Sequence, residues 1–77
     1  MQTVGRMYNA MIIYRPSAAA IAANTAARKP ALPKEIHVHA SGLTVVVDAA
    51  GMTRDFPTVY GMYEHFDLVA ADLQQVA

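Results

Sequence analysis

Between residues 35 and 56 the chain passes through three short extended segments, each closed by turn residues, and then enters a helical period. Few folds accommodate that succession. Glu35 to Ala40 alternates Ile36 and Val38 against His37 and His39, and Ser41-Gly42 follows, a dipeptide suited to a tight reversal. Leu43 to Asp48 is rich in β-branched residues and ends in Ala49-Ala50-Gly51, while Met52 to Phe56 completes a meander and Phe56-Pro57 leads onward. From Val59 the apolar residues recur at Val59, Met62, Tyr63, Phe66, Val69, Ala70, Leu73 and Val76, the i, i+3, i+4, i+7 ladder of an amphipathic helix. Thr58 is placed to cap this helix by accepting an orphan amide, and Gly61 loosens its first turn by ~1 kcal/mol relative to alanine. In this register Phe66 and Val69 belong to the core. Because Val45, Val46 and Val47 are consecutive, both faces of the central strand are expected to be covered.

The N-terminal third carries weaker signals. Residues 17–27 are mostly alanine around a single large apolar residue, Ile21. Pro16 and Ser17 suit a helix start, and Pro30 with Pro33 suits its end. Such a helix has high propensity but little to bury, so it must pack closely or stay partly mobile. Over residues 6–14 a helical grouping of Val4, Met7, Tyr8, Met11 and Arg15 competes with a strand alternation that sets Met7, Met11 and Ile13 against Arg6, Tyr8, Ile12 and Tyr14. The strand reading is preferred because Ile12-Ile13-Tyr14 runs extended toward a proline. Arg6 and the run Met7 to Tyr14 have features of a signal peptide, and the acid-free, alanine-rich continuation has features of a transit peptide; neither reading is adopted. The expectation is a single α+β domain over residues 1–77. It comprises a three- or four-stranded antiparallel meander, a C-terminal amphipathic helix and an alanine-rich N-terminal helix. The basic part is 1–34, and the meander and helix occupy 35–77.

Charge is divided along the chain. Residues 1–34 hold five basic residues, Arg6, Arg15, Arg28, Lys29 and Lys34, and no acid, a charge of +5. Residues 35–77 hold six acids, Glu35, Asp48, Asp55, Glu64, Asp67 and Asp72, against Arg54 alone, a charge of −5. Such halves neutralise each other within one molecule or between subunits, and the internal arrangement is preferred. Charged residues are only 16% of the chain, below the ~25% of an average domain. That shortage leaves apolar surface to be covered by a protein partner or a second copy, so a homodimer is expected. No segment reaches the ~20 apolar residues of a membrane span.

With no cysteine, disulfides, thiolate nucleophiles and cysteine-bound zinc are excluded, and an unstapled domain suits a reducing cytoplasm. His37 and His39 share a strand face and, with His65, Glu35 or Glu64, are the nearest approach to a metal set; the spacing demands no site, and no cofactor is called for. Ser17 and Ser41 fall at a cap and a turn, where their hydroxyls have structural work. The acids Asp55, Glu64, Asp67 and Asp72 form no pair in an apolar cleft. The chain reads as a non-enzymatic protein.

The binding residues expected from the helical period are Tyr60, Glu64 and Asp67, which at i, i+4 and i+7 form one stripe with an aromatic anchor and two carboxylates. Tyrosine is enriched at interface hot spots, and the carboxylates would steer a partner with a basic surface. The run Arg54-Asp55-Phe56-Pro57-Thr58 with Met62 and Phe66 resembles two families over residues 35–70. One is the small phage-encoded anti-CRISPR inhibitors of type I-F systems, which share the Arg-Asp-Phe lead and a similarly spaced apolar ladder. The other is the AP2-like arm-binding domains of tyrosine recombinases. The first resemblance implies a phage or prophage factor in the bacterial cytoplasm that blocks a host complex by surface contact. The second implies DNA read by a basic sheet, yet the sheet here offers Arg54 beside Asp48 and Asp55, and phosphate affinity needs several cations. Nucleic-acid binding through the basic N-terminal part, or a role as a subunit of a larger assembly, is the alternative.

Overall fold

The computed structural model describes residues 10–76. The chain forms β1 (Met11–Pro16), α1 (Ala18–Ala26), β2 (Glu35–His39), β3 (Thr44–Val47), β4 (Thr53–Phe56), α2 (Val59–Phe66), a 3-10 turn (Ala70–Asp72) and β5 (Leu73–Gln75). All strand pairs are antiparallel, in the order β4-β3-β2-β1-β5. The class is therefore α+β as expected, with a five-stranded sheet and both helices present. The two hairpins turn on glycines in conformations that side chains disfavour, Gly42 at φ 99° and Gly51 at φ 85°. Asp48 shapes the second turn by accepting the Ala50 and Met52 amides on one carboxylate oxygen, each at 2.9 Å.

Register decides which side chains share a face. Tyr14, Ile36, Val46 and Arg54 form one cross-strand row, and Ile12, Val38, Thr44 and Phe56 form the next. Ile36, Val46 and Phe56 on this face join Met62 of α2 and Leu68 in the buried cluster, with Leu32, Val59, Tyr63, Phe66 and Leu73 packed around it. Helix α1 lies on the same side, where Ala20 borders a small cleft with Leu32, Phe66 and Leu68. Ser17 caps α1 by accepting the Ala20 amide at 3.0 Å, and its own amide donates to the Asp72 carbonyl at 2.7 Å. α1 buries an alanine and leaves Ile21 exposed, so it packs closely through small side chains.

Four expectations change. The sheet has five strands, not three or four, and the fifth comes from a stretch read as helix. Helix α2 ends at Phe66 because Asp67 takes the left-handed conformation (φ 58°, ψ 49°). The Asp67 and Leu68 amides both donate to the Tyr63 carbonyl, and the chain reverses. Leu73–Gln75 then pairs with β1, satisfying backbone groups along that edge which further helix would leave open. The reversal also changes the core: Leu68 is buried, Val69 is exposed and Phe66 is half-buried. Val46 is buried but Val45 and Val47 are only partly covered, because both helices lie on one face and no described element covers the other. Residues 6–14 are strand from Met11; residues 6–9 lie outside the described residues. Among the described residues no helix is long and apolar enough to cross a membrane.

Met62 is fully buried and Val69 is 61% exposed, which separates two neighbours in the expected ladder. Met62→Ala should cost ~2–5 kcal/mol in urea denaturation, whereas Val69→Ser should stay within ~0.5 kcal/mol. Equal costs would restore the uninterrupted helix.

Candidate protein-binding surfaces

Helix α2 is short, and its start is fixed by Thr58, whose hydroxyl accepts the Gly61 amide at 3.3 Å. With Met62 facing inward, Tyr60 stands 76% exposed. Tyr63, one turn on, meets it edge to face, with ring centroids 6.4 Å apart and planes at 76°, a favoured aromatic geometry. Burial pushes the Tyr63 phenol above the usual tyrosine range, with Tyr14 and Tyr60 adding to the effect, so three tyrosines gather at this end of the sheet. Glu64 is exposed beside Tyr60 and makes no ion pair among the described residues.

Asp67 is placed differently from its two expected companions. It sits past the last helical residue and pairs with Lys29 from the connection after α1. The hydrogen bond and charge of Lys29 hold its carboxyl below the usual aspartate range. The structure therefore brings Tyr60 and Glu64 together on α2 and moves Asp67 into a link between the two halves of the chain. Arg15 and Glu35, 3.7 Å apart, make a second such link. Both pairs join a cation from residues 1–34 to an acid from residues 35–77, as internal neutralisation requires.

The open face of the sheet is the second surface. His37 Nε2 lies 2.9 Å from a Glu35 carboxylate oxygen. This bond, more than the nearby charges, holds the Glu35 carboxyl below the usual glutamate range. The register sets Ile13 and Val45 on either side of His37, with Asp55 beyond Val45, and sets Met11 opposite His39. The histidines thus share the open face opposite Ile36 and Val38. Among the described residues no cluster of three His, Asp or Glu side chains could hold a metal ion. His65 lies on α2 and contacts Arg54 instead. Ser41 Oγ accepts the Leu43 amide at 3.4 Å and Ser17 caps α1, the structural roles read from the sequence. The remaining acids are dispersed: Asp55 lies on the open face, and Asp72 accepts the Val69 amide at 2.9 Å.

Sequence reasoning missed the association of Arg54, Phe56 and His65. Its signal was the strand alternation that puts Arg54 and Phe56 on one face, but the partner on α2 depends on how the helix crosses the sheet. No family model, no curated protein and no solved structure matches the chain.

Folding lowers the pKa of both Glu35 and Asp67, so their contribution to stability is present above the ordinary carboxyl range and is lost as pH falls through the lowered folded values. The loss sets in as pH falls toward the ordinary carboxyl values, about 4.5 for Glu35 and about 3.8 for Asp67. The thermal midpoint should therefore be lower at pH 3 than at pH 6, and Glu35→Gln combined with Asp67→Asn should flatten that dependence. Circular-dichroism melts showing the same pH slope in both proteins would assign the acid sensitivity elsewhere.

Proposed function

We propose that this protein is a non-enzymatic interaction factor that engages a basic surface on a protein partner through the Tyr60–Glu64 face of α2. The observation that carries the reading is Tyr60 itself, a large aromatic side chain 76% exposed yet braced by Tyr63. A rigid, amphipathic ring of this kind contributes contact area at small entropic cost. Glu64 supplies an uncompensated charge beside it that speeds association with a cationic partner. The setting that accompanies this reading is a phage or prophage accessory protein acting on a host complex in the bacterial cytoplasm. A nucleic-acid partner is less favoured, since Arg15 and Lys29 are already committed to Glu35 and Asp67, leaving fewer free cations for phosphate contacts.

The test is capture from bacterial lysate with mass-spectrometric identification, using the native chain and the Tyr60→Ala/Glu64→Lys variant, followed by calorimetry with the protein retained. The variant should bind more than tenfold more weakly with its fold intact, while His37→Ala/His39→Ala should change affinity little. The reverse ranking would move the binding site to the sheet.

The open sheet face favours a second reading, a homodimer joined through it. Five strands of 6, 5, 4, 4 and 3 residues at ~4.8 Å spacing and ~3.3 Å per residue give about 350 Å² per copy, less than half the ~800 Å² of a standard interface. The dimer should therefore be weak and concentration-dependent. Sedimentation equilibrium should show it at high micromolar concentration and show its loss in Val45→Lys; a strict monomer at that concentration would remove this reading.

A further inference from the structure

The covered sheet face holds a groove between the β3–β4 hairpin, the connection from α1 to β2, and the last turn of α2. It encloses about 230 Å³ and is lined by Pro33, Val46, Met52, Arg54, His65 and Phe66 among others. Its floor is apolar, from buried Val46 and half-buried Phe66. One wall carries a guanidinium whose position is determined from two sides. Arg54 lies 5.2 Å from the Phe56 ring centroid, and its Nη1 donates to His65 Nε2 at 3.2 Å. His65 is held in turn by Phe66 and Phe56, at centroid distances of 4.7 and 5.5 Å.

Among the described residues this cation meets an aromatic ring and an imidazole but no acid. Among the described residues no carboxylate lies within ion-pair distance of Arg54. The acid on the rim, Asp48, has one oxygen engaged by the Ala50 and Met52 amides. A recess with an apolar floor, a polar rim that includes Asp48, Thr53 and His65, and one oriented guanidinium without an ion pair has the composition of a small-ligand site. A planar fork of donors matches a carboxylate, and a single free cation beside Asp48 suits a monoanion better than a phosphate dianion. The volume lies below the ~300 Å³ at which drug-sized pockets begin, which leaves room for one side-chain-sized apolar group.

We propose that this groove binds a carboxylate carrying an apolar group the size of a leucine side chain, with the carboxylate on Arg54 and the apolar group on Val46, Met52 and Phe66. His65 is a positioning residue that orients the guanidinium. The ligand is either a free acid or the C-terminal residue of a peptide, and the site is separate from the Tyr60–Glu64 face.

The experiment is a heteronuclear NMR titration of the full chain with N-acetyl-leucine, N-acetyl-leucinamide, inorganic phosphate and a leucine-terminated tripeptide. N-acetyl-leucine should shift the amides of Val46, Met52, Arg54 and Phe66 saturably, with a Kd of about 1 mM or tighter, in keeping with a ligand of about a dozen non-hydrogen atoms. The amide and phosphate should bind at least tenfold more weakly. Arg54→Gln should lose at least tenfold in affinity, and so should Met52→Glu, a change at an exposed position that leaves the core untouched. Tighter binding of the tripeptide would assign the ligand to a chain terminus and equal binding to a free acid; both uphold the groove. Equal affinity for acid and amide, or shifts that map elsewhere, would overturn the proposal.

Discussion

Among the described residues Met62 and Ile36 are the two apolar side chains withdrawn completely from solvent, and with Val46, Phe56 and Leu68 they form one cluster on which the rest of the arrangement depends. The cluster is small because α1 contributes alanine where another helix would contribute leucine. A core of this size can hold one layer of helix on one face of a sheet and no more. The consequences reach the surface. The second face of β3 stays open, Tyr60 is turned outward when Met62 turns inward, and the groove beside Arg54 exists because α2 stops after two turns.

The meander was legible because its signals are local. Alternation in β2, β-branched residues in β3 and glycines at the two reversals each specify structure within a few residues, and Thr58 and Ser17 cap the helices they were expected to cap. The segment after Phe66 was misread because helical period and strand both suit Leu73 to Val76 when taken alone. What separates them is the open edge of β1, some 60 residues earlier in sequence, and no window over the segment contains that information. The same limit explains the candidate site. Tyr60 and Glu64 depend only on helical spacing and emerge together, whereas Asp67 is displaced by one residue's backbone conformation and by Lys29, which arrives from the other half of the chain.

The charge division also acquires a structural meaning. Lys29 with Asp67 and Arg15 with Glu35 are exposed or partly exposed pairs, each worth little in energy. They nevertheless fix which segment lies beside which. The first ties the connection after α1 to the end of α2, where the chain must turn back toward β1. The second ties β1 to β2 along the open face. The pairs act more on arrangement than on stability, and Glu64 and Arg54 are among the described charges that they leave without an ion pair.

The strand order places β1, the first of the described strands in sequence, between β2 and the last of them, β5. During synthesis β1 can acquire β2 as soon as that strand emerges, and β3 and β4 can add outward from it in turn. Its other edge has no partner until Leu73–Gln75 has been made. Until then the nascent domain presents a free backbone edge next to an uncovered sheet face, the combination that invites strand addition from another chain. The shortest of the described strands, three residues long, is thus the one that closes the sheet, and the edge of β1 stays open until every other described element has been made.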